Sequence, residues 1–346
     1  MNKSFSPWYK PIDQNICIIV LNWENWQDTV QCLTSLQSLP AIKNISVIVC
    51  DNGSSNHSVH QILSWARHYY STQEIRTLTA ASRYTKSTLS PFVLIQTGEN
   101  LGFAGGNNVG IRFALAQERY DYIWLLNSDT VVDIHALASL YGFAQTYSKT
   151  ALIGSTVLYY DQPDIVQSAG GCRYNPFLTK IDSVFDGEPL DYVEQFNHVD
   201  LDYIYGASLF LRVSAIRSVG LLNEEYFLFY EELDYTQRLK KRGYQIAWCP
   251  YSLVFHKGSA TIKYTNPQAR QRLQFTHYYE NLNTLKYSAR CHFYSLPFAL
   301  FSRLVLKSFL LVLRRQFFLF PSLLKAYWDF FHYSLFPKSR LNKKTD

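Results

Sequence analysis

The side chains with chemistry to offer are oxygen and nitrogen donors at the ends of apolar runs. Leu125–Asp133 (LLNSDTVVD) is an apolar run that breaks into an Asn-x-Asp pair, Asn127 and Asp129. Side chains two apart on an extended segment share a face. Read as a strand end, the pair aims both side chains at one place, and such oxygens suit a hard cation, Mg²⁺ or Mn²⁺. The same residues also read as a turn capping the next helix. A second group, Glu231, Glu232 and Asp234, follows the aromatic run Tyr226–Tyr230 and opens a helical pattern ending at Gly243. Acids at a helix start are stabilised by its partial positive charge. Three of them beneath an aromatic platform exceed what capping needs, and one can serve as a general base. His256, in VFHKGSAT, reads either as a ligand or as a core histidine.

Short runs rich in β-branched residues must hold these groups. Strands are expected at Ile16–Leu21, Ile45–Cys50, Pro91–Gln96, Tyr122–Leu126, Ala151–Tyr159 and Tyr244–Cys249, and Asp202–Leu211 alternates before turning apolar. Helices are expected over Thr29–Leu39, His57–Tyr70, Ile111–Glu118, His135–Thr146 and Val213–Ser218. Apolar strands alternating with helices predict an α/β sheet covered on both faces. Such sheets collect ligands at the carboxyl ends of their strands, where Asn22 and Asp51 fall. Ser71–Ser90 has no period and reads as a long loop or insertion. Thr97–Gly110 (TGENLGFAGGNNVG) reads as a glycine-rich loop that lets backbone approach a ligand. Its spacing is neither GxGxxG nor a P-loop, which argues against a Rossmann oxidoreductase. Ser168–Phe177 reads as a loop, and the stretch to Val199 as irregular and acidic.

Six cysteines lack CxxC spacing, so neither zinc site nor disulfide framework is expected and a reducing, cytoplasmic side is the default. No apolar segment precedes the first strand, so no secretory signal is visible. The net charge of +6 is concentrated in the tail. Eleven Lys and Arg but only two acids lie at or beyond Lys286, a pattern unlike a nucleic-acid-binding domain. No window of Cys291–Phe336 offers the roughly 20 uncharged apolar residues of a spanning helix. Basic residues interleaved with Phe, Leu and Trp328 predict amphipathic helices lying on a membrane surface, with a helical hairpin packed on the domain, or a dimer, as the alternative.

Four segments in order, ICIIVLNWEN, VIVCDNGSSN, ENLGFAGGNNVGI with LLNSDT, and FLFYEELDYTQRLKKRGY with a downstream His, resemble the family 2 glycosyltransferases, in their bacterial rhamnosyltransferase-like branch. The resemblance spans roughly residues 14–260. It implies a GT-A fold, Rossmann-like with a mixed sheet and helices on both faces, over 14–265. An amphipathic helical region over 266–336 and a disordered basic tail over 337–346 would follow. It further implies a nucleotide-diphosphate-sugar donor, a divalent cation and inversion at the anomeric carbon, and together with the pattern of the tail a glycan or lipid-linked acceptor at the inner face of the plasma membrane is expected. By position, Asn22, Asp51, Asn100, Gly102, Asn107 and Asn127 would border the donor, Asp129 and His256 would hold the metal, and Glu232 would be the base. Asp234 is the alternative base, and Glu231 would orient the site or the acceptor. Two positions depart from the family pattern: Asn127 stands where a first metal-motif acid is usual, and Glu280 where the branch often has Arg. A nonenzymatic nucleotide-sugar-binding protein of the same fold is the alternative those departures would favour.

Overall fold

The computed structural model describes residues 7–40, 45–82, 90–258 and 267–335, which divide into two compact units. The first comprises the chain to Arg173, Ile181–Phe227 and Glu231–Gly258; the second comprises Tyr174–Lys180, Leu228–Tyr230 and the helices that follow Gly258. The expected domain boundary at 265/266 and the expected basic tail lie outside the described residues.

The first unit begins β1 (Ile16–Asn22), α1 (Trp26–Gln37), β2 (Ile45–Asp51), α2 (Ser58–Tyr69), β3 (Ile75–Thr79), β4 (Phe92–Gln96), α3 (Gly102–Ala116) and β5 (Tyr122–Asn127). It continues with β6 (Thr130–Val132), α4 (Ala136–Thr146), β7 (Thr150–Tyr159), β8 (Gln162–Ala169), β9 (Gly171–Asn175), β10 (Lys180–Ser183) and α5 (Leu190–Val193). β11 (Tyr203–Ile204), β12 (Ser208–Arg212), α6 (Val213–Val219), α7 (Glu231–Lys241) and β13 (Gln245–His256) complete it. The main sheet has ten strands in the order β3-β4-β2-β1-β5-β12-β7-β13-β6, with β8 on β7, and β10-β9-β11 form a small second sheet. β1 to β5 are parallel, whereas β12 runs antiparallel to both β5 and β7.

Alternate residues of β1 feed different cores. Cys17 and Ile19 join one apolar cluster, Ile16, Ile18 and Val20 the other, as a strand covered on both faces requires. From β1 the chain builds β2 on one side and β5 on the other. The carboxyl ends of β1 and β5, Asn22 and Asn127, therefore flank the crevice where such sheets bind ligands.

Four expectations fail locally, each for a physical reason. From Gly102 the glycine-rich stretch is the first part of α3 rather than a loop, and only residues 97–101 lie outside the helix. A Cβ on Gly106 would sit 2.5 Å from Leu21 Cδ1, and one on Gly110 would sit 2.8 Å from Ile19 Cγ2 and 2.9 Å from Cys50 Sγ. Those glycines serve helix-on-sheet contact. The aperiodic segment after α2 holds β3, a half-buried edge strand with no apolar run to read; residues 83–89 lie outside the described ones. Ser168–Phe177 is the end of β8, a turn at Gly170 (φ 78°) and β9. Asn127 and Asp129 do not share an extended face, because β5 stops at Asn127 and Asp129 sits on the turn into β6. The turn is held by Thr130 Oγ1, which donates to the Asn127 carbonyl at 2.7 Å.

The second unit is helical: α8 (Pro267–Cys291), α9 (Leu296–Phe301), a π-helical turn at Ser302–Leu306, α10 (Lys307–Leu313) and α11 (Phe320–Leu335). Its core gathers Leu282, Leu285, Ala299, Leu311, Leu323 and Ala326. Leu228–Tyr230 belongs to it, with Asn283 Nδ2 donating to the Leu228 carbonyl at 2.8 Å and Thr284 Oγ1 to the Tyr230 hydroxyl at 2.7 Å. Glu280 accepts from Arg303 Nη1 at 2.6 Å and from Lys307 Nζ at 3.0 Å. Arg303 also donates to the Thr179 hydroxyl and carbonyl, at 2.9 and 2.7 Å. Two of the basic residues expected on an outer polar face thus turn inward. Burial pushes the Glu280 carboxyl up, but Arg303 and Lys307 outweigh it and hold it down at about 2.

Gly110→Ala overpacks the α3 contact and should cost about 1–3 kcal/mol in urea unfolding; an unchanged midpoint would refute the close approach. Because the folded Glu280 carboxyl lies below its ordinary value of 4.5, its stabilising contribution is present above that pH and is lost as pH falls toward 2. The melting temperature of the wild-type chain should therefore drop more steeply over that window than that of Glu280→Gln.

Candidate active site

The crevice is built on amide–carboxylate bonding at the ends of β1 and β2. Asn22, fully buried, donates from Nδ2 to Asp51 Oδ1 at 2.7 Å and accepts from Thr29 Oγ1 at 2.7 Å. The other Asp51 oxygen accepts the Ser54 backbone N–H at 3.2 Å. Asn52, a residue sequence reasoning passed over, donates to Asn100 Oδ1 (2.9 Å) and the Gly102 carbonyl (3.1 Å) and accepts from Leu101 N (3.0 Å). It holds the turn that starts α3. Gly102 has φ 72°, and its Cβ would lie 2.2 Å from the Phe227 carbonyl, so only glycine fits there. Asn107 is buried in α3, donating to the Phe103 carbonyl at 3.0 Å, and its Oδ1 has no partner among the described residues. Asn108, also unforeseen, donates to the Leu222 carbonyl and to Glu224, both at 2.8 Å. The two amides are adjacent letters in one helix, and the sequence offers no signal to tell their roles apart.

Asp129 meets His256 because β13 runs antiparallel to β6, with His256 opposite Thr130. His256 Nε2 lies 3.2 Å from Asp129 Oδ1. Its Nδ1 lies 2.7 Å from Gln167 Oε1 on β8. An amide oxygen accepts, so Nδ1 donates to Gln167, and Nε2 is the ring nitrogen left to face the carboxylate, as a donor when it carries a proton and with a lone pair when it does not. In an octahedral shell with bonds of about 2.1 Å, adjacent ligand atoms are about 3 Å apart. The pair therefore fits two neighbouring positions around a divalent cation. Among the described residues no cluster of three or more His, Cys, Asp or Glu could hold a metal. Burial raises the Asp129 carboxyl, but His256 and Lys257 outweigh this and leave it lowered. Asn127, half-buried beside it, makes no side-chain hydrogen bond among the described residues.

The acids of α7 divide. Asp234 is buried and bonded to Arg238 at 2.8 Å, and Arg238 donates on to the Val219 and Leu221 carbonyls at 3.1 and 2.8 Å. Glu231 is buried. Glu232 reaches over Gly206, where a Cβ would come within 2.0 Å of its Oε1. Burial lifts its carboxyl to about 7, the range that suits a general base. Tyr205 connects the two motifs. Its ring meets the His256 ring edge-on at 6.0 Å. Its hydroxyl is held well above its ordinary value by burial, then by the charges of Cys172, Glu232 and Asp129. The charges of Asp129 and Glu232 thus both bear on one tyrosine. Gln167, Tyr205 and Gly206 carry no motif that would have marked them.

Comparison with known proteins agrees with this architecture. The model of "Glycosyl transferase family 2" matches residues 16–194, and that of "Glycosyl transferase family group 2" matches 122–337. The chain is 22% identical over 245 residues to a low-salt glycan biosynthesis hexosyltransferase of Haloferax volcanii, covering 70% of this chain and 67% of that one. It is 23% identical over 237 residues to an N-acetylglucosaminyl-diphospho-decaprenol L-rhamnosyltransferase of Mycobacterium tuberculosis, covering 63% and 68%. Among solved structures, GalNAc-T7 with UDP, GalNAc and Mn²⁺ shares the fold, with a TM-score of 0.54 at 11% identity over 82% of this chain. This chain spans about half, 52%, of that one. From its mixed sheet and these family matches, the chain belongs to glycosyl transferase family 2 and is a glycosyltransferase of the GT-A fold.

Proposed function

We propose that this glycosyltransferase moves a sugar, with inversion, from a nucleotide-diphosphate donor to a hydroxyl of a lipid-linked or polysaccharide acceptor at the inner face of the plasma membrane. The observation that carries the reading is the Asp129–His256 pair, with the His256 ring against Tyr205 and Glu232 against the neighbouring Gly206. Rhamnose, as the deoxythymidine-diphosphate sugar, is the first donor to try. The name of the tubercular relative, a rhamnosyltransferase acting on a diphospho-lipid, supports both donor sugar and acceptor class.

In this reading Asn22, Asp51, Asn100, Gly102 and Asn107 border the nucleotide, with Asp51 accepting from the base. Asp129 and His256 hold Mg²⁺ or Mn²⁺ beside Asn127, and Gln167 keeps the His256 lone pair turned toward it. The cation, when bound, offsets the charge developing on the leaving diphosphate. Glu232 takes the proton of the attacking acceptor hydroxyl. Asp234, committed to Arg238, holds the helix that carries Glu232, and Glu231 orients the acceptor side.

Glu232→Gln should keep donor binding and lower turnover by about 10²–10⁴-fold; a purified variant with normal turnover refutes the assignment. The base acts only when deprotonated, so wild-type kcat/KM should climb through pH about 7 and level off above it. Gln167→Leu should weaken Mn²⁺ binding about 10–100-fold, as loss of a ligand's hydrogen-bonded support does. Titration followed by Mn²⁺ electron spin resonance reads this without turnover, and unchanged affinity removes Gln167 from the site. Asp129→Ala should abolish the metal-dependent part of donor binding in calorimetry.

A further inference from the structure

The helical run from α9 through the π turn to α10 is amphipathic in the reverse sense for a helix facing water. Phe298, Phe301, Val305, Phe309 and Val312 recur three or four residues apart, and all are exposed. Residues so spaced share a face of a helix. Ala299, Ser302, Arg303 and Leu311 are buried, and Arg303 and Lys307 turn inward onto Glu280 of α8. A water-facing helix buries its apolar stripe and presents its charges. Charges turned to the bundle and large apolar groups turned out is the polarity of a helix bordered by hydrocarbon.

The surroundings agree. Phe293–Leu313 is long and apolar enough to cross a membrane by length and composition, yet only 22% of its most apolar window is buried. Arg314 and Arg315 follow at its end, both exposed. On α11 Trp328 is 73% exposed, with Leu324 and Phe331 exposed alongside it. Crossing does not fit, because the inner face of the run carries an ion cluster and packs on α8, which is rich in Gln, Arg, Asn and His.

We propose that this face is a membrane-docking surface. The outer side of Phe298–Val312 lies in the acyl region of one leaflet of an anionic bilayer, and Arg314 and Arg315 sit at its phosphate groups. The inference deepens the reading of a lipid-linked acceptor given above, and names the face through which the chain meets the lipid. The Glu280–Arg303–Lys307 cluster is what allows a helix containing two cations to present an unbroken apolar face.

Co-sedimentation of the full chain with phosphatidylglycerol/phosphatidylcholine vesicles tests this. Wild type should partition to the vesicles, and more weakly to pure phosphatidylcholine. Phe301→Asp/Phe309→Asp should lower partitioning at least tenfold, Arg314→Glu/Arg315→Glu should lower it on the anionic vesicles alone, and the control Ile134→Asp should bind as wild type. Nucleotide-sugar binding without vesicles, read by thermal shift, should be the same in the Phe double variant and wild type, which shows that the variant is folded. Vesicle binding by the Phe double variant equal to wild type overturns the proposal. So does a wild type that ignores vesicles but forms a dimer that the same substitutions dissociate, since the occupant is then a second copy. A wild type that binds vesicles but no nucleotide sugar overturns the donor reading and leaves this one standing.

Discussion

The Asp129 carboxylate and the His256 Nε2 face each other at 3.2 Å in the crevice, and much of the first unit serves to hold them so. β13 must run its full length to bring His256 beside the turn after β5. β8 must fold back on β7 to set Gln167 against the far side of the imidazole. β12 must enter antiparallel between β5 and β7 so that Tyr205 and Gly206, just before it, reach Asp129 and Glu232. Held by these strands, the two groups stay within reach of one another, and the ring and Lys257 lower the Asp129 carboxyl against the effect of burial.

β1, β2, β4 and β5 were legible in the sequence because they are buried on both faces, whereas β3, at the edge of the same parallel half, was not. Ile16–Leu21 is an unbroken apolar run and Ile45–Cys50 is broken only by Ser46, and each is too short for a helix and rich in β-branched residues. The antiparallel half was less legible. β8 is exposed over its first half, β9 alternates, and β11 is two residues long with its partner in β9 well back along the chain. α3 was misread because its glycines, taken for backbone flexibility, in fact answer to the side chains of Leu21, Ile19 and Cys50 beneath them. Close packing of a helix on a sheet leaves the same signature as a phosphate-cradling loop.

Among the chemical groups, the acids announced themselves and their supports did not. Asp129, Glu232 and His256 sit in recognisable strings, whereas Gln167, Tyr205 and Asn52 act through partners that no local pattern reveals. The three acids of α7 looked alike in sequence. Asp234 is taken by Arg238, and Glu232 is left with its charge disfavoured by burial. In the tail, interleaved cations suggested a polar outer face, but the geometry of Glu280 turns two of them inward.

The thiols carry a practical consequence. All six cysteines are outside disulfides, and five are buried. Burial lifts Cys32, Cys50 and Cys249 to about 12 and pushes Cys17 and Cys172 upward as well. A thiol that is neither accessible nor ionised is a poor nucleophile. Only Cys291, half-exposed at the end of α8, stands apart. Maleimide chemistry on the native chain should therefore report from one address in the helical unit, giving a spectroscopic handle without engineering the other five away.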